Sequence, residues 1–344
     1  MAGIIGSTSL PLQHSKELDK IFKNTLKGSQ SEYDKLFKVQ QAAPGNRVSR
    51  ADLSGLGLGD EIAEGESVRF DMPSEGNFKQ RTYKEYGLGY IITKRMIDDE
   101  RFGEMKKLPA DLARSMKLLC DIEAIRVFNE GITGDAGSGD HQVGKDSARI
   151  WGAHSILNPR VSFVDPGTGL DSTGTLTNLA GTGADLSETS FFEMMKYFDR
   201  MIDENGYPVV LDLSKLIISK EDKYVAHRLH TQMYGSSIEL GGLSGQIAAT
   251  GTATDGLVTP ITNNVANPEN GFVNGWSIVD SRFLDDDGRW FAASAQNDAG
   301  FYWKQQPKQE NETEFDTSNL KYKSTMRFGA WIDEYAHFWG NGGG

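Results

Sequence analysis

Between residues 109 and 130 the chain carries no glycine and no second proline, while Leu112, Met116, Leu119 and Ile122 recur at helical spacing, joined by Leu118, Ile125 and Phe128. Pro109 suits a first helical turn, Asp111 suits the positive end of the helix dipole, and Gly131 suits the position just past the end. At 1.5 Å per residue this helix runs roughly 33 Å, about the width of a small domain. It therefore predicts a scaffold along which the rest of a domain must pack.

The stretch ahead of it, from Glu66, reads as a two-stranded arm. Val68, Phe70 and Met72 alternate with Ser67, Arg69 and Asp71, the period of a strand with one covered face. Residues 73–77 form a Pro/Gly/Asn turn cluster, and residues 79–86 supply a polar return strand. An isolated hairpin is only marginally stable in water, so an arm this polar is expected to lie on another surface, with a second copy of the chain as a partner.

The 344 residues allow two or three domains, and 38% hydrophobic with 24% charged residues indicates a soluble globular protein. The excess of 48 acidic over 36 basic side chains, a formal net charge of -12, argues against a protein that binds nucleic acid through its overall charge, while leaving room for a local basic patch. Cys120 is the single cysteine, so no intrachain disulfide forms, in keeping with synthesis in a reducing cytoplasm. The N-terminus lacks a basic region followed by an apolar run, and nowhere do 18 apolar residues follow one another, so neither a signal peptide nor a transmembrane helix is expected. Asn311-Glu312-Thr313 matches a glycosylation sequon by chance.

In chain order, residues 1–14 are expected to be an extended arm. A helix follows from Ser15 through Leu18, Ile21, Phe22 and Leu26, and a further turn or two through Tyr33, Leu36, Phe37 and Gln40. Residues 44–59 read as a flexible, strand-like passage. Residues 131–185 read as loops with short strands around an apolar patch at Ile150 and Trp151, with 166–183 a Thr/Gly-rich loop. Ser187 caps a helix through Phe191, Met194, Met195, Phe198 and Ile202; residues 209–211 and 216–218 are short strands; another helix runs through Tyr224, Val225, Arg228, Leu229 and Gln232. Residues 235–270 are again loop-like, and strands are expected at 276–279, 290–293, 300–303 and 320–332, with an aromatic segment at His337, Phe338 and Trp339.

Catalytic and binding motifs fare poorly. Residues 139–145 fit a phosphate-binding loop up to Lys145, but Asp146 stands where Ser or Thr should hold a magnesium ion, and the stretch follows a helix rather than a strand. A surface turn is the better reading. Gly55, Gly57 and Gly59 lack dinucleotide-binding spacing. Asp285-Asp286-Asp287-Gly288 lacks the acids of a calcium loop, since Phe283 and Ser294 occupy its first and last positions, and reads as a tight turn. His227 and His230 share a predicted helix without a third ligand, and Cys120 belongs inside a helix. No cofactor, metal or catalytic residue is assigned, and the chain is expected not to be an enzyme.

The order of elements is informative. A polar hairpin arm leads through Met96-Ile97-Asp98-Asp99 into a long helix, then a loop-rich middle, a helix–strand–helix stretch and an aromatic β-rich end. This order resembles the major capsid protein of tailed double-stranded DNA phages, the Hong Kong 97-type fold. The resemblance implies an α+β chain with an N-arm over residues 1–60, an extended loop (E-loop) and its connection over 61–100, and the first part of a peripheral (P) domain with its spine helix over 101–190. It further implies an axial (A) domain over 191–300 and P-domain return strands with a C-terminal tail over 301–344. Val68, Phe70, Met72, Glu75, Lys79, Arg81 and Tyr83 are then the expected intersubunit contacts of the E-loop.

The implied function is a head protein that self-assembles into an icosahedral shell around double-stranded DNA, made and assembled in the bacterial host cytoplasm. Its implied partners are itself as hexamers and pentamers, a separate scaffolding protein, a portal, in some systems decoration proteins, and packaged DNA by weak non-specific contact, with no membrane. Net negative charge would help DNA slide along the inner wall. Two other readings stand beside it. One is an encapsulin-like compartment shell; the other is a β-rich hydrolase or carbohydrate-binding protein, suggested by Trp276, Trp290, Trp303 and Trp331.

Overall fold

The structure is a computed structural model that describes residues 9–28, 31–42, 44–53, 56, 61–68, 70, 72, 75–99, 102–133, 143, 144, 146–155, 175–180, 183–201, 209–234, 275–314, 316 and 318–343. Its elements run α1 (Ser9–Gly28), α2 (Tyr33–Leu36), β1 (Lys38–Gln41), β2 (Arg47–Leu53), β3 (Glu75–Thr82), β4 (Lys84–Ile92), α3 (Lys94–Asp98), α4 (Phe102–Met105) and α5 (Lys107–Thr133). They continue with β5 (Ala153–Ser155), β6 (Thr175–Thr177), α6 (Glu188–Asp199), β7 (Leu213–Ser219), α7 (Lys223–Tyr234), β8 (Ser277–Ser281), β9 (Trp290–Ser294), β10 (Gly300–Thr313), β11 (Leu320–Trp331) and β12 (Phe338–Asn341). The fold is α+β. The chain divides into two compact units, the first comprising Met1–Leu53, Ser74–Ile150 and Asp298–Asp333, the second Ser54–Pro73, Trp151–Asn297 and Glu334–Gly344.

In the first unit the long helix is α5, and it exceeds the expected span at both ends. Gly131 lies inside it, because the buried face formed by Leu112, Ala113, Met116, Cys120, Ala124, Val127 and Phe128 offsets the roughly 1 kcal/mol that a helical glycine costs. The helix packs on a four-stranded sheet in the order β1-β10-β11-β4, in which β1 runs parallel to β10 and the other pairs are antiparallel. Tyr322, Met326 and Phe328 of β11 are buried, and Met326 Sδ lies 3.7 Å from Cys120 Sγ. Tyr86 stacks on Phe328 at 4.9 Å, and its hydroxyl donates to Glu123 Oε2 at 2.9 Å.

The N-terminal segment departs from expectation in two places. Helix α1 starts at Ser9, within the stretch expected to be extended, because Pro11 falls in its first turn where a missing N–H costs nothing. Gln40, expected to prolong a helix, is in β1: Phe37 turns extended, and β10 offers a ladder to which Lys38 N (on Ala299 O, 2.8 Å) and Ala42 N (on Trp303 O, 2.8 Å) donate. Short α2 is held by Asp121 of α5, whose Oδ1 accepts from Glu32 N at 2.8 Å and Tyr33 N at 3.0 Å. Burial pushes the Asp121 carboxyl above its ordinary range.

The second unit is built on a sheet of order β12-β9-β7-β8, with β7 and β8 parallel and connected through α7. Phe191, Met194 and Phe198 of α6, Ala226 and Leu229 of α7, and Leu216, Ile218, Trp276, Trp290 and Trp339 make one core. Val209, Val210 and Leu211 are not in a strand as expected, since the ladder begins only at Leu213, where β9 provides Ser294. Ser187 caps α6 as the sequence indicates. Its hydroxyl accepts from Ser190 N at 3.2 Å, and Ser190 Oγ accepts from Ser187 N at 2.9 Å, a reciprocal box. Ser187→Ala is expected to cost about 1 kcal/mol, read as a lowered denaturation midpoint with unchanged slope.

Most of 166–183 and all of 235–270 lie outside the described residues. So do residues 139–142 and 145 of the phosphate-loop-like stretch; Val143 bridges Arg149 and Gly144 N donates to Ala148 O at 2.9 Å, so the described part is a tight turn. Asp285-Asp286-Asp287-Gly288 is likewise a turn between β8 and β9, with Gly288 N donating to Asp286 Oδ1 at 3.0 Å. No helix among the described residues is long and apolar enough to cross a membrane.

Candidate intersubunit surface

The arm exists, but its strands are not those the alternation indicates. Strand β3 pairs antiparallel with β2, from Arg47↔Thr82 to Leu53↔Glu75, so the partner of the return strand comes from the passage read as flexible. Ser67, Val68, Phe70 and Met72 are not in a strand, and Arg69, Asp71, Pro73 and Ser74 lie outside the described residues. The physical reason is that period-2 alternation marks a face but not a partner, and the polar sequence of β2 carries little burial signal to compete with it. The described ladder of the arm is therefore β2 with β3, and residues 54–73, which connect the two strands along the chain, fall in the second unit.

At its root the arm is fixed from within the first unit. Arg81 Nε donates to Asp333 Oδ1 at 2.8 Å, and its terminal nitrogen to Val143 O at 2.9 Å and Ile332 O at 3.1 Å. The side chains of this ion pair are only 2% and 8% exposed. The Arg81 guanidinium also lies 5.8 Å from the centroid of Trp331. Tyr83 meets the same indole at 5.8 Å, and Tyr302 stacks on it at 4.8 Å. The Trp331 indole lies over Gly329, where a Cβ would clash with the ring.

The residues named from sequence as intersubunit contacts thus divide. Arg81 and Tyr83 are buried within the chain itself, because β3 and the residue after it deliver them to the end of β11. Lys79 is half-buried, and the Glu75 side chain lies outside the described residues. Val68, Phe70 and Met72 are 58%, 90% and 88% exposed. Leu56, Ile62 and Phe78, which the sequence did not single out, are exposed as well. Among the described residues, each of these large apolar side chains is exposed to water. Their signal was in the sequence, as apolar residues scattered through an acidic, glycine-rich stretch.

The remaining candidates are structural. Cys120 is buried with its thiol donating to Met116 O at 3.3 Å, and burial pushes that thiol up, which makes it inert. His230 packs edge-on against Trp276 and meets its carbonyl at 3.2 Å. Trp276, Trp290, Trp303 and Trp331 are all buried, which removes the sugar-platform reading.

The chain matches a family model described as phage capsid protein over residues 80–340, most of its length. No curated protein matches it by sequence. Among solved structures it is similar to a virus-like particle from Pyrococcus furiosus, at 8% identity and a TM-score of 0.48, covering 95% of this chain and 98% of that one. It is also similar to Mycobacterium phage Che8 (14% identity, TM-score 0.42, 93% and 89% of the two chains). A third is the procapsid of satellite phage P4 that includes the size determination protein (12%, TM-score 0.39, 93% and 89%).

Proposed function

Because the chain belongs to the phage capsid protein family, a structural protein of the virion and not an enzyme, we propose that its function resides in its interfaces. It assembles, as hexamers and pentamers, into an icosahedral shell that encloses double-stranded DNA. In this reading the fold is of the Hong Kong 97 type. Helix α5 is the spine of the P domain, β10 and β11 are its return strands, β2 and β3 with residues 54–74 are the E-loop, residues before them are the N-arm, and residues 191–300 carry the A domain.

The observation that supports the mode of assembly is the exposed apolar run of the arm. Val68, Phe70 and Met72 make little sense on a monomer, and each would contribute about 1.5–3 kcal/mol if fully covered by a neighbouring copy. A scaffolding protein, a portal and, where present, decoration proteins complete the set of partners, and packaged DNA makes weak non-specific contact.

Expression alone and with candidate scaffolding proteins, followed by negative-stain electron microscopy, tests the reading. Closed shells are the expected product. A protein that stays dispersed under every such condition contradicts it, and shells loaded with enzymes instead of DNA would favour the encapsulin-like compartment.

A further inference from the structure

We propose that the outer face of α1 is a contact for the phosphate backbone of double-stranded DNA. The inference rests on the shell reading above and adds to it a site on a helix whose role that reading leaves open. Lys16, Lys20, Lys23 and Lys27 are all exposed. At 3.6 residues per turn they fall within an arc of roughly 60° and extend over roughly 17 Å of helix axis. They form a single basic ridge on a chain whose net charge is -12.

Two lysines outside α1 approach it: Lys117 Nζ of α5 donates to Leu26 O at 3.3 Å, and Lys106 Nζ lies 3.8 Å from Glu17 Oε2. The acids of the helix do not cancel the ridge. Glu17 faces Lys106, and among the described residues Asp19 pairs with Lys23 alone, at 3.0 Å and in the open, where such pairs contribute little. Among the described residues Lys16, Lys20 and Lys27 make no ion pair.

The kind of partner is set by the residues that accompany the lysines. The other exposed residues of α1 from Lys16 onward are Glu17, Asn24 and Gly28; no apolar or aromatic side chain is among them, since Leu18 and Phe22 are buried on the opposite side. Protein interfaces are centred on aromatic, apolar or arginine anchors and are depleted of lysine, so this face lacks what a protein partner would grip. Single-stranded nucleic acid is held by stacking on aromatic platforms, also absent from these exposed positions. A row of lysines alone suits the regularly spaced charges of a duplex backbone, read without sequence preference. One subunit binds weakly, and many copies on a shell wall would act together. The excess of acid elsewhere then keeps the remaining surface from adhering.

The test is fluorescence anisotropy of the purified full-length subunit with a labelled duplex of mixed sequence. With four phosphates neutralised, the affinity is expected to fall about 10²-fold between about 50 mM and 200 mM salt. The variant Lys16→Gln/Lys20→Gln/Lys23→Gln/Lys27→Gln, which preserves helix propensity, is expected to bind at least about 10-fold more weakly at the lower salt and to lose most of the salt dependence, with unchanged thermal melting. Should that variant melt early, the pair Lys16→Gln/Lys27→Gln is expected to lose about half of the salt slope. Wild-type affinity and slope retained in the folded variants overturns the inference, as does a wild-type subunit that does not bind the duplex at low salt. Variants that bind DNA normally but fail to form shells overturn it too, because a protein then occupies the ridge. Electron microscopy of the wild type reports separately on the shell, so shells without ridge-dependent DNA affinity refute this inference alone.

Discussion

Arg81→Met is expected to lower the unfolding free energy of the unassembled subunit by about 3–5 kcal/mol, the range for breaking a buried ion pair by removing one partner. Methionine roughly preserves the length of the side chain, so the loss is electrostatic more than steric. It strands the Asp333 carboxylate, 8% exposed, without the guanidinium 2.8 Å away, and it takes a donor from the carbonyls of Val143 and Ile332. Urea denaturation followed by tryptophan fluorescence measures this directly, because Trp331 lies beside Arg81. The double variant Arg81→Met/Asp333→Leu, in which neither charge remains, is expected to recover a large part of the loss, since a buried pair is worth little against a well-packed apolar replacement. A single variant within about 0.5 kcal/mol of wild type would mean that Arg81 is not the anchor of the arm.

Phe70→Asp/Met72→Asp is expected to act in the opposite way, leaving the subunit as stable as before and abolishing shell formation. Both side chains are almost fully exposed, so a charge there costs the free subunit little. In a shell the same positions would be covered by a neighbour, and burying two carboxylates without partners costs several kcal/mol at every copy of the contact. Sedimentation separates the outcomes: soluble subunits with a wild-type melting curve support the arm as a clasp, and normal yields of shells refute it. The arm can also be shortened, but only between the ladder pair Leu53↔Glu75. A deletion that extends to Tyr83 would remove Arg81 as well and unfold the root along with the clasp.

These two experiments separate what the sequence reveals from what it hides. The spine helix was legible because its apolar periodicity, its missing glycines and its proline all agree, and α6 was legible from the Ser187 cap. The late strands were legible from their aromatics. The arm was legible as an object and misread as a ladder, because Val68, Phe70 and Met72 alternate without pairing while the polar residues of β2 pair without alternating clearly. Arg81 looked like one more polar residue on a return strand. Its partner Asp333 is 252 residues away, and no local pattern announces a contact of that separation. The exposed apolar residues of the arm are visible by composition, yet exposure itself is a property of the fold.

If the arm of one subunit completes its apolar contacts on another copy in a closed shell, a cryo-electron microscopy reconstruction of assembled particles measures this most directly. Icosahedral shells are expected in which Val68, Phe70 and Met72 are covered by a neighbouring subunit while Arg81 and Asp333 remain paired within their own. Closed shells in which these apolar side chains fold back onto their own subunit, or stay open to solvent, would contradict the role assigned to the arm.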